Sequence, residues 1–413
     1  MTKKVIFITG RDPRLKYGGH DLFARAHARA AIRAGFEPHI FFAGAETGVV
    51  ETALGVFHET AFPVRFPRSL NMPLLNPLVS AAVERFVLSQ PDPQLMHGFG
   101  VWGYTGVTVS RRLWRRGRQD IPLVSSYTTV EHEASVKQRM IGAVGNRRQR
   151  GKEWVEYLWA RTVLPRYERE QFLNARLVLV NYESVRRIIT AGFGSSISFR
   201  HMPYCAETAF RDDELMGRES EAPEPIRRLS PPEAPLVVAV SRHDPRKGVD
   251  VLLRALAALR DRGVGFRACL VGGGALLEAH RKVAEQLRLA DAVAITGWVE
   301  EPFDYLRRAD IFVLPSLEEG SGSVSLLEAL QAGVAVVASN VDGIPEDVTD
   351  GESALLVEPG DVAALSRALE RLLADATLRH GLARRGRAIF EERFSAEALT
   401  DALRQLYLEL GFD

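Results

Sequence analysis

The chain is punctuated by short apolar runs that do not alternate, and this most narrows what it can fold into. Val5-Ile6-Phe7-Ile8 is apolar at four successive positions. A strand with one wet face alternates apolar and polar residues, whereas an unbroken run is apolar on both faces. Such strands belong to parallel sheets covered on both sides by helices. The pattern returns at His39-Ile40-Phe41-Phe42, Leu95-Met96-His97, Pro122-Leu123-Val124 and Arg176 to Val180. It restarts more regularly at Leu236 to Val240, Arg267 to Val271, Ala292 to Ile295, Ile311 to Leu314 and Val334 to Ala338. Helical spacing intervenes, as in Phe23, Ala26, Ala30 and Ala34, and closes the chain from Leu378 to Leu410. Alternation of this kind predicts an α/β fold of doubly wound, Rossmann-like sheets.

The 413 residues suit two such domains. Between the two series, residues 211 to 235 are acidic and proline-rich, with Pro223, Pro225, Pro231 and Pro232. That stretch reads as a linker rather than a strand or helix. The 53 basic and 52 acidic residues nearly cancel, which argues against a general nucleic-acid binder. Cys205 and Cys269 are isolated, predicting neither a disulfide framework nor a zinc site. Met1-Thr2-Lys3-Lys4 runs straight into the first strand, and no apolar stretch reaches the ~20 residues of a membrane span. The sequence therefore predicts a cytoplasmic protein.

The strongest chemical signal opens the second half. The strand ending at Val240 runs into Ser241-Arg242-His243-Asp244-Pro245-Arg246-Lys247-Gly248, with a helix expected from Val249. A strand-to-helix loop of a doubly wound sheet is where such folds hold anions. Arg242 can make two parallel hydrogen bonds to a phosphate, Lys247 supplies a compact charge, and the helix start adds N–H groups. Such a loop can stabilise a departing diphosphate without a metal, and losing one such group should cost about 100-fold in rate. An ordinary solvated basic loop has the same composition.

Leu270-Val271 leads into Gly272-Gly273-Gly274, where a backbone can come close to a ligand. The run is not the Gly-x-Gly-x-x-Gly of a dinucleotide site, which counts against a nicotinamide-dependent dehydrogenase. After the strand at Ile311 come Glu318-Glu319-Gly320-Ser321-Gly322-Ser323-Val324, then a helix carrying Glu328. Small residues there leave N–H groups open to phosphate or sugar oxygens. Glu328 suits a neutral hydroxyl pair such as a ribose, or simply complements the helix dipole.

From Val240 to Leu356 these pieces together resemble the nucleotide-binding lobe of the GT-B glycosyltransferases, specifically the retaining family 4 group. The matching residues are Ser241-Arg242, Lys247-Gly248, Gly272-Gly273-Gly274, Gly297-Trp298-Val299, Ala309 to Ser316, Glu319-Gly320 and Leu327 to Leu330. Gly343-Ile344-Pro345-Glu346 and Val357 to Asp361 extend the match. The resemblance implies a metal-independent, hexosyltransferase-type enzyme needing no cofactor beyond a nucleotide-diphosphate sugar. Arg242 and Lys247 would hold the diphosphate, Glu319 would lie by the sugar and Glu328 by the ribose. Gly272, Gly273, Trp298, Ser321, Gly322, Ser323 and Val324 would complete the donor site. In one respect the chain departs from the family: Glu319 and Glu328 enclose eight residues where the family usually has seven.

The resemblance further implies a first domain over 1–203 that binds the acceptor, with the helix 395–413 packing back on it. A linker over 204–235 and a donor domain over 236–394 follow, the two Rossmann-like lobes facing a central cleft. Gly18 and Gly19, after the first strand, match the family's glycine pair that approaches the donor. His132, just beyond Pro122 to Ser126, is the candidate active histidine, and His97 is a second one. Pro203-Tyr204-Cys205-Ala206-Glu207 departs from the family's Pro-Asn-Gly hinge.

The implied acceptor is a hydroxyl on a sugar, glycolipid or small molecule in glycan or glycoconjugate biosynthesis. A sugar-nucleotide epimerase or hydrolase and a non-catalytic nucleotide-sugar binder are the alternatives. Finally, Arg139, Arg147, Arg148, Arg150, Lys152, Arg161 and Arg166 interleave with Trp154, Tyr157, Trp159 and Tyr167. That mixture fits peripheral contact with the inner membrane face. It also fits a core helix with snorkelling stems, the reading preferred on sequence.

Overall fold

A computed structural model of the protein describes residues 3–15, 19–62, 71–126, 128–143, 147–218 and 221–412. The chain forms two compact units. The first comprises Met1–Ile141, Asn146–Phe210 and Ala396–Asp413, the second Gly142–Gly145 and Arg211–Ser395.

The first unit holds an eight-stranded sheet. Its strands are β1 (Lys3–Ile8), β2 (Phe36–Gly44), β3 (Gly48–Thr52), β4 (Gly55–Ala61), β5 (Leu95–Phe99), β6 (Ile121–Ser126), β7 (Leu177–Val180) and β8 (Phe199–His201). They lie in the order β3-β4-β2-β1-β5-β6-β7-β8, and only the β3–β4 pair is antiparallel. The unbroken apolar run Val5–Ile8 is buried throughout, as strands covered on both faces require. The β3–β4 hairpin escaped the sequence reading because Gly48–Thr52 is an edge strand with Val49 and Val50 exposed.

The helix Ala396–Glu409 completes this unit. Leu399, Leu403 and Leu406 face its core at three- and four-residue spacing. The ring of Tyr407 meets Phe36 edge-on at 5.1 Å, and Glu397 pairs with Arg33 at 2.9 Å.

The second unit holds β9 (Leu236–Val240), β10 (Arg267–Val271), β11 (Val293–Gly297), β12 (Ile311–Leu314), β13 (Ala335–Ser339) and β14 (Leu355–Val357). All run parallel in the order β11-β10-β9-β12-β13-β14. From β9 the chain winds outward one way, and from β12 the other. The crevice at the carboxyl ends of β9 and β12 is therefore the topological switch point, where doubly wound sheets take their ligands.

Within the proline-rich stretch the structure places short helices at Asp212–Met216 and Glu224–Arg227. Pro225 sits in the first turn of the second, where a missing N–H costs nothing, so it starts a helix rather than preventing one.

Candidate functional site

The loops after β9 and β12 meet at the switch point and are stitched together through their backbones. After β9, Asp244 accepts a hydrogen bond from the Arg246 N–H at 3.0 Å and starts a single 3-10 turn over Pro245–Lys247. Gly248 then adopts φ 58°, ψ 26°, and the helix Val249–Asp261 follows. A side chain at Gly248 would also meet the Pro315 carbonyl oxygen at 2.0 Å, so glycine is required on two counts. Beside it the Leu317 N–H donates to the Arg246 carbonyl at 2.6 Å.

Lys247 and Glu319, 72 positions apart in sequence, form an ion pair at 2.5 Å with both side chains largely buried, 12% and 4% exposed. The other carboxylate oxygen of Glu319 accepts from the Ser316 hydroxyl. Asp342 in turn accepts from the backbone N–H groups of Glu319 and Gly320, both at 2.7 Å. Asp342 itself holds φ 51°, a left-handed conformation that asparagine and aspartate tolerate better than most residues.

Arg242 lies on the same loop, 68% exposed and 3.2 Å from the Asp244 carboxylate. Asp244 is buried, which favours its neutral form. The nearby charges of Arg246, Arg242 and Lys247 and the hydrogen bond from Arg246 outweigh that, and its pKa lies below the ordinary aspartate value. It stays an anion and leaves Arg242 projecting.

The glycine run completes the wall. A side chain at Gly272 (φ 136°) would meet the Ser241 carbonyl oxygen at 2.0 Å, and one at Gly274 (φ 156°) the His243 backbone. Gly273 lies beside Trp298, which is 74% exposed. Ser321, Gly322 and Ser323 are buried just before the helix Val324–Gln331, in which Glu328 is also buried.

Of the second-unit residues proposed from sequence, Lys247 and Glu319 touch, Arg242 lies on the same loop as Lys247, and Gly273 lies against Trp298. Sequence reasoning missed Ser316 and Asp342, which hold Glu319 in place. The Asp-Pro step at Asp244, a turn-initiating signal, was the readable trace of the loop's anchor.

The remaining candidates lie in the first unit. Gly18 falls outside the described residues, and Gly19 is the first residue of the helix Gly19–Arg33. His132 sits in the first turn of the helix Val130–Ala143, its N–H directed to the Thr129 hydroxyl at 3.3 Å. That helix start is held by Glu168, which accepts the Val130 N–H at 2.8 Å. His97 is enclosed in the core, stacked on Phe99 at 4.7 Å and bonded to Ser125 at 2.6 Å. Its burial depresses the pKa well below the usual range and makes it a packed structural histidine. At the Pro203–Glu207 stretch, Glu207 is clamped by Arg29 at 2.8 Å and Arg25 at 3.2 Å.

Residues 234–375 match the family described as Glycosyl transferases group 1. The lipopolysaccharide core biosynthesis glycosyltransferase LpsE of Rhizobium meliloti is 36% identical over 177 residues, 43% of this chain and 51% of that protein. A GDP-mannose-dependent phosphatidylinositol monomannoside mannosyltransferase of Mycolicibacterium smegmatis is 33% identical over 228 residues, 52% of this chain and 53% of its own. The chain thus spans about half the length of the curated relatives it matches. In fold, sucrose-phosphate synthase from Thermosynechococcus elongatus superposes with a TM-score of 0.74 at 23% identity, covering 99% of both chains. The lipopolysaccharide glycosyltransferase WaaG gives 0.66 at 18% identity, covering 97% of this chain and 98% of its own. The second unit of this protein belongs to the group 1 glycosyltransferases, and the chain carries the GT-B fold.

Proposed function

We propose that the protein is a retaining glycosyltransferase that moves a sugar from a nucleoside diphosphate to a hydroxyl acceptor in glycan or glycoconjugate assembly. One observation carries the reading: Arg242 and Lys247 are presented by a single loop at the switch point of the second sheet, with Glu319 against Lys247. Arg242 and Lys247 hold the diphosphate and meet the charge that grows on the leaving oxygen. The N–H groups from Ser321 to Val324 at the following helix start add to that field, so the reading needs no metal or cofactor. Trp298 offers an exposed face beside Gly273 on which a base can lie, and Glu328 serves the ribose. The attacking hydroxyl approaches from the face the leaving group vacates.

Incubation with a panel of nucleotide sugars, with and without candidate acceptors, tests this. Nucleotide release should require one donor, rise with a sugar or glycolipid acceptor, and persist in a chelator. Release that ignores every acceptor points instead to an epimerase or hydrolase. Binding without any turnover points to a non-catalytic sensor.

A glycolipid acceptor accords with the helix Arg147–Thr162. It turns Glu153 and Glu156 inward, where Lys137 meets them, with 3.1 Å to Glu153. Trp154, Val155 and Leu158 are left half-exposed among Arg147, Lys152 and Arg161. The core helix preferred on sequence is present in part, because Tyr157 and Trp159 pack on the first unit's core beside Ala160, while Trp154, Val155 and Leu158 do not. Peripheral docking on an anionic bilayer follows from this face. Vesicles containing anionic lipid should sediment the protein at low salt, and Trp154→Ala with Leu158→Ala should release it. Equal recovery on neutral vesicles would sink the idea. Among the described residues no helix is long and apolar enough to cross a membrane.

A further inference from the structure

Behind the loop that carries Arg242 lies a pair of buried histidines that the proposed chemistry does not use. The His243 ring is 1% exposed and His280, on the helix Leu277–Gln286, is 5% exposed. Their Nδ1 atoms are 2.9 Å apart. We propose that His280, acting through His243, is a positioning residue that fixes Arg242 for the diphosphate. The inference rests on the donor reading given above.

Arg242 reaches into solvent on a long side chain, so its aim depends on how firmly its backbone is held. The next residue supplies that hold. The His243 N–H donates to the Gly273 carbonyl at 2.9 Å, and its own carbonyl accepts from the Leu276 N–H at 2.9 Å. The imidazole then plugs the space beneath the loop and meets His280. Two Nδ1 atoms at this distance need one ring protonated there and the other bare, so the rings take opposite tautomers. The contact is lost only when both Nδ1 atoms carry protons. Burial, then the neighbouring His280 and Arg281, push His243 down to about 4, with Asp244 opposing. Burial lowers His280 as well, against Asp250 and Asp244. Both rings are therefore neutral at pH 7, and the tie is intact there.

Calorimetry with UDP and GDP and with uridine and guanosine provides the test, on full-length protein whose melting temperature is checked in parallel. His280→Leu should weaken the accepted diphosphate about tenfold, the weight of one well-placed hydrogen bond, and leave the nucleoside unchanged. His280→Asn, whose amide can stand where Nδ1 stood, should restore most of the loss. In an Arg242→Ala background His280→Leu should cost nothing further, because the group it positions is gone. Should the leucine variant not fold, His280→Gln, which carries its amide one atom farther out, is read the same way. The proposal is overturned if the folded variant binds diphosphate like the parent, weakens nucleoside and diphosphate alike, or adds its full effect to Arg242→Ala. Parent protein that binds neither diphosphate would remove the donor reading itself, and this inference with it.

Discussion

Replacing Lys247 by alanine should reduce nucleotide release at least about 100-fold and at the same time destabilise the protein. The second effect follows from the pair at 2.5 Å. Removing the ammonium leaves the Glu319 carboxylate buried with the Ser316 hydroxyl and no counter-charge, and breaking such a pair costs about 3–5 kcal/mol. Loss of activity in that variant therefore mixes chemistry with unfolding. The double variant Lys247→Met with Glu319→Gln separates them. Its two neutral side chains keep the volume and leave no stranded charge, so its melting temperature should return towards the parent's while turnover stays lost. Melting and release measured on the same samples check this. A double variant that regains activity would show that the charge of Lys247 is not what the reaction uses.

Acid should destabilise the fold early, between about pH 6.5 and 4. Burial pushes His27, His39, His58 and His243 down to about 4 from the ordinary value near 6.5. Across that interval the unfolded chain takes up protons that the folded one refuses, so stability rises with pH there. The contribution is fully present above about 6.5 and is lost progressively as pH falls to 4. His27 is completely buried, with Nδ1 3.0 Å from the Phe23 carbonyl, and alone accounts for about 3 kcal/mol over the whole span. Glu168 works in the opposite sense. Burial raises it to about 8 despite the Val130 N–H, so it favours the fold more as pH falls. The histidines outnumber it. Urea melts at pH 7 and pH 5 should differ by several kcal/mol, and His27→Phe should narrow the gap. Equal stability at the two pH values would contradict the burial of these rings.

The parallel strands were legible because burial on both faces is written locally, in runs such as Val5–Ile8 and Ile311–Leu314. Sheet order was not, since nothing in the neighbourhood of β9 says that it lies beside β12. The cations of the β9 loop could be read from a strand, a short basic turn and a glycine. Their partners could not. Glu319, Ser316 and Asp342 reach the site from other loops, and their pairing is a property of how three strand ends are arranged in space. The same holds for His243 and His280, each an unremarkable lone histidine in sequence. The helix at 147–162 was legible in part: Tyr157 and Trp159 pack on the core as the sequence preference required, but the inward turn of Glu153 and Glu156 depends on Lys137, which comes from another helix.

The helix Ala396–Glu409 is an integral part of a unit whose other pieces all precede Arg211. During synthesis, then, the first sheet emerges from the ribosome long before the segment that seals the surface around Phe36 and His97. It waits through more than 180 residues of a second, self-sufficient body. Arg33, Phe36 and neighbouring apolar side chains remain uncovered in the interim, a window in which a holding chaperone can bind. Clipping the tail afterwards would strike the opposite end of the sequence, loosening residues near the beginning while sparing those just before the cut.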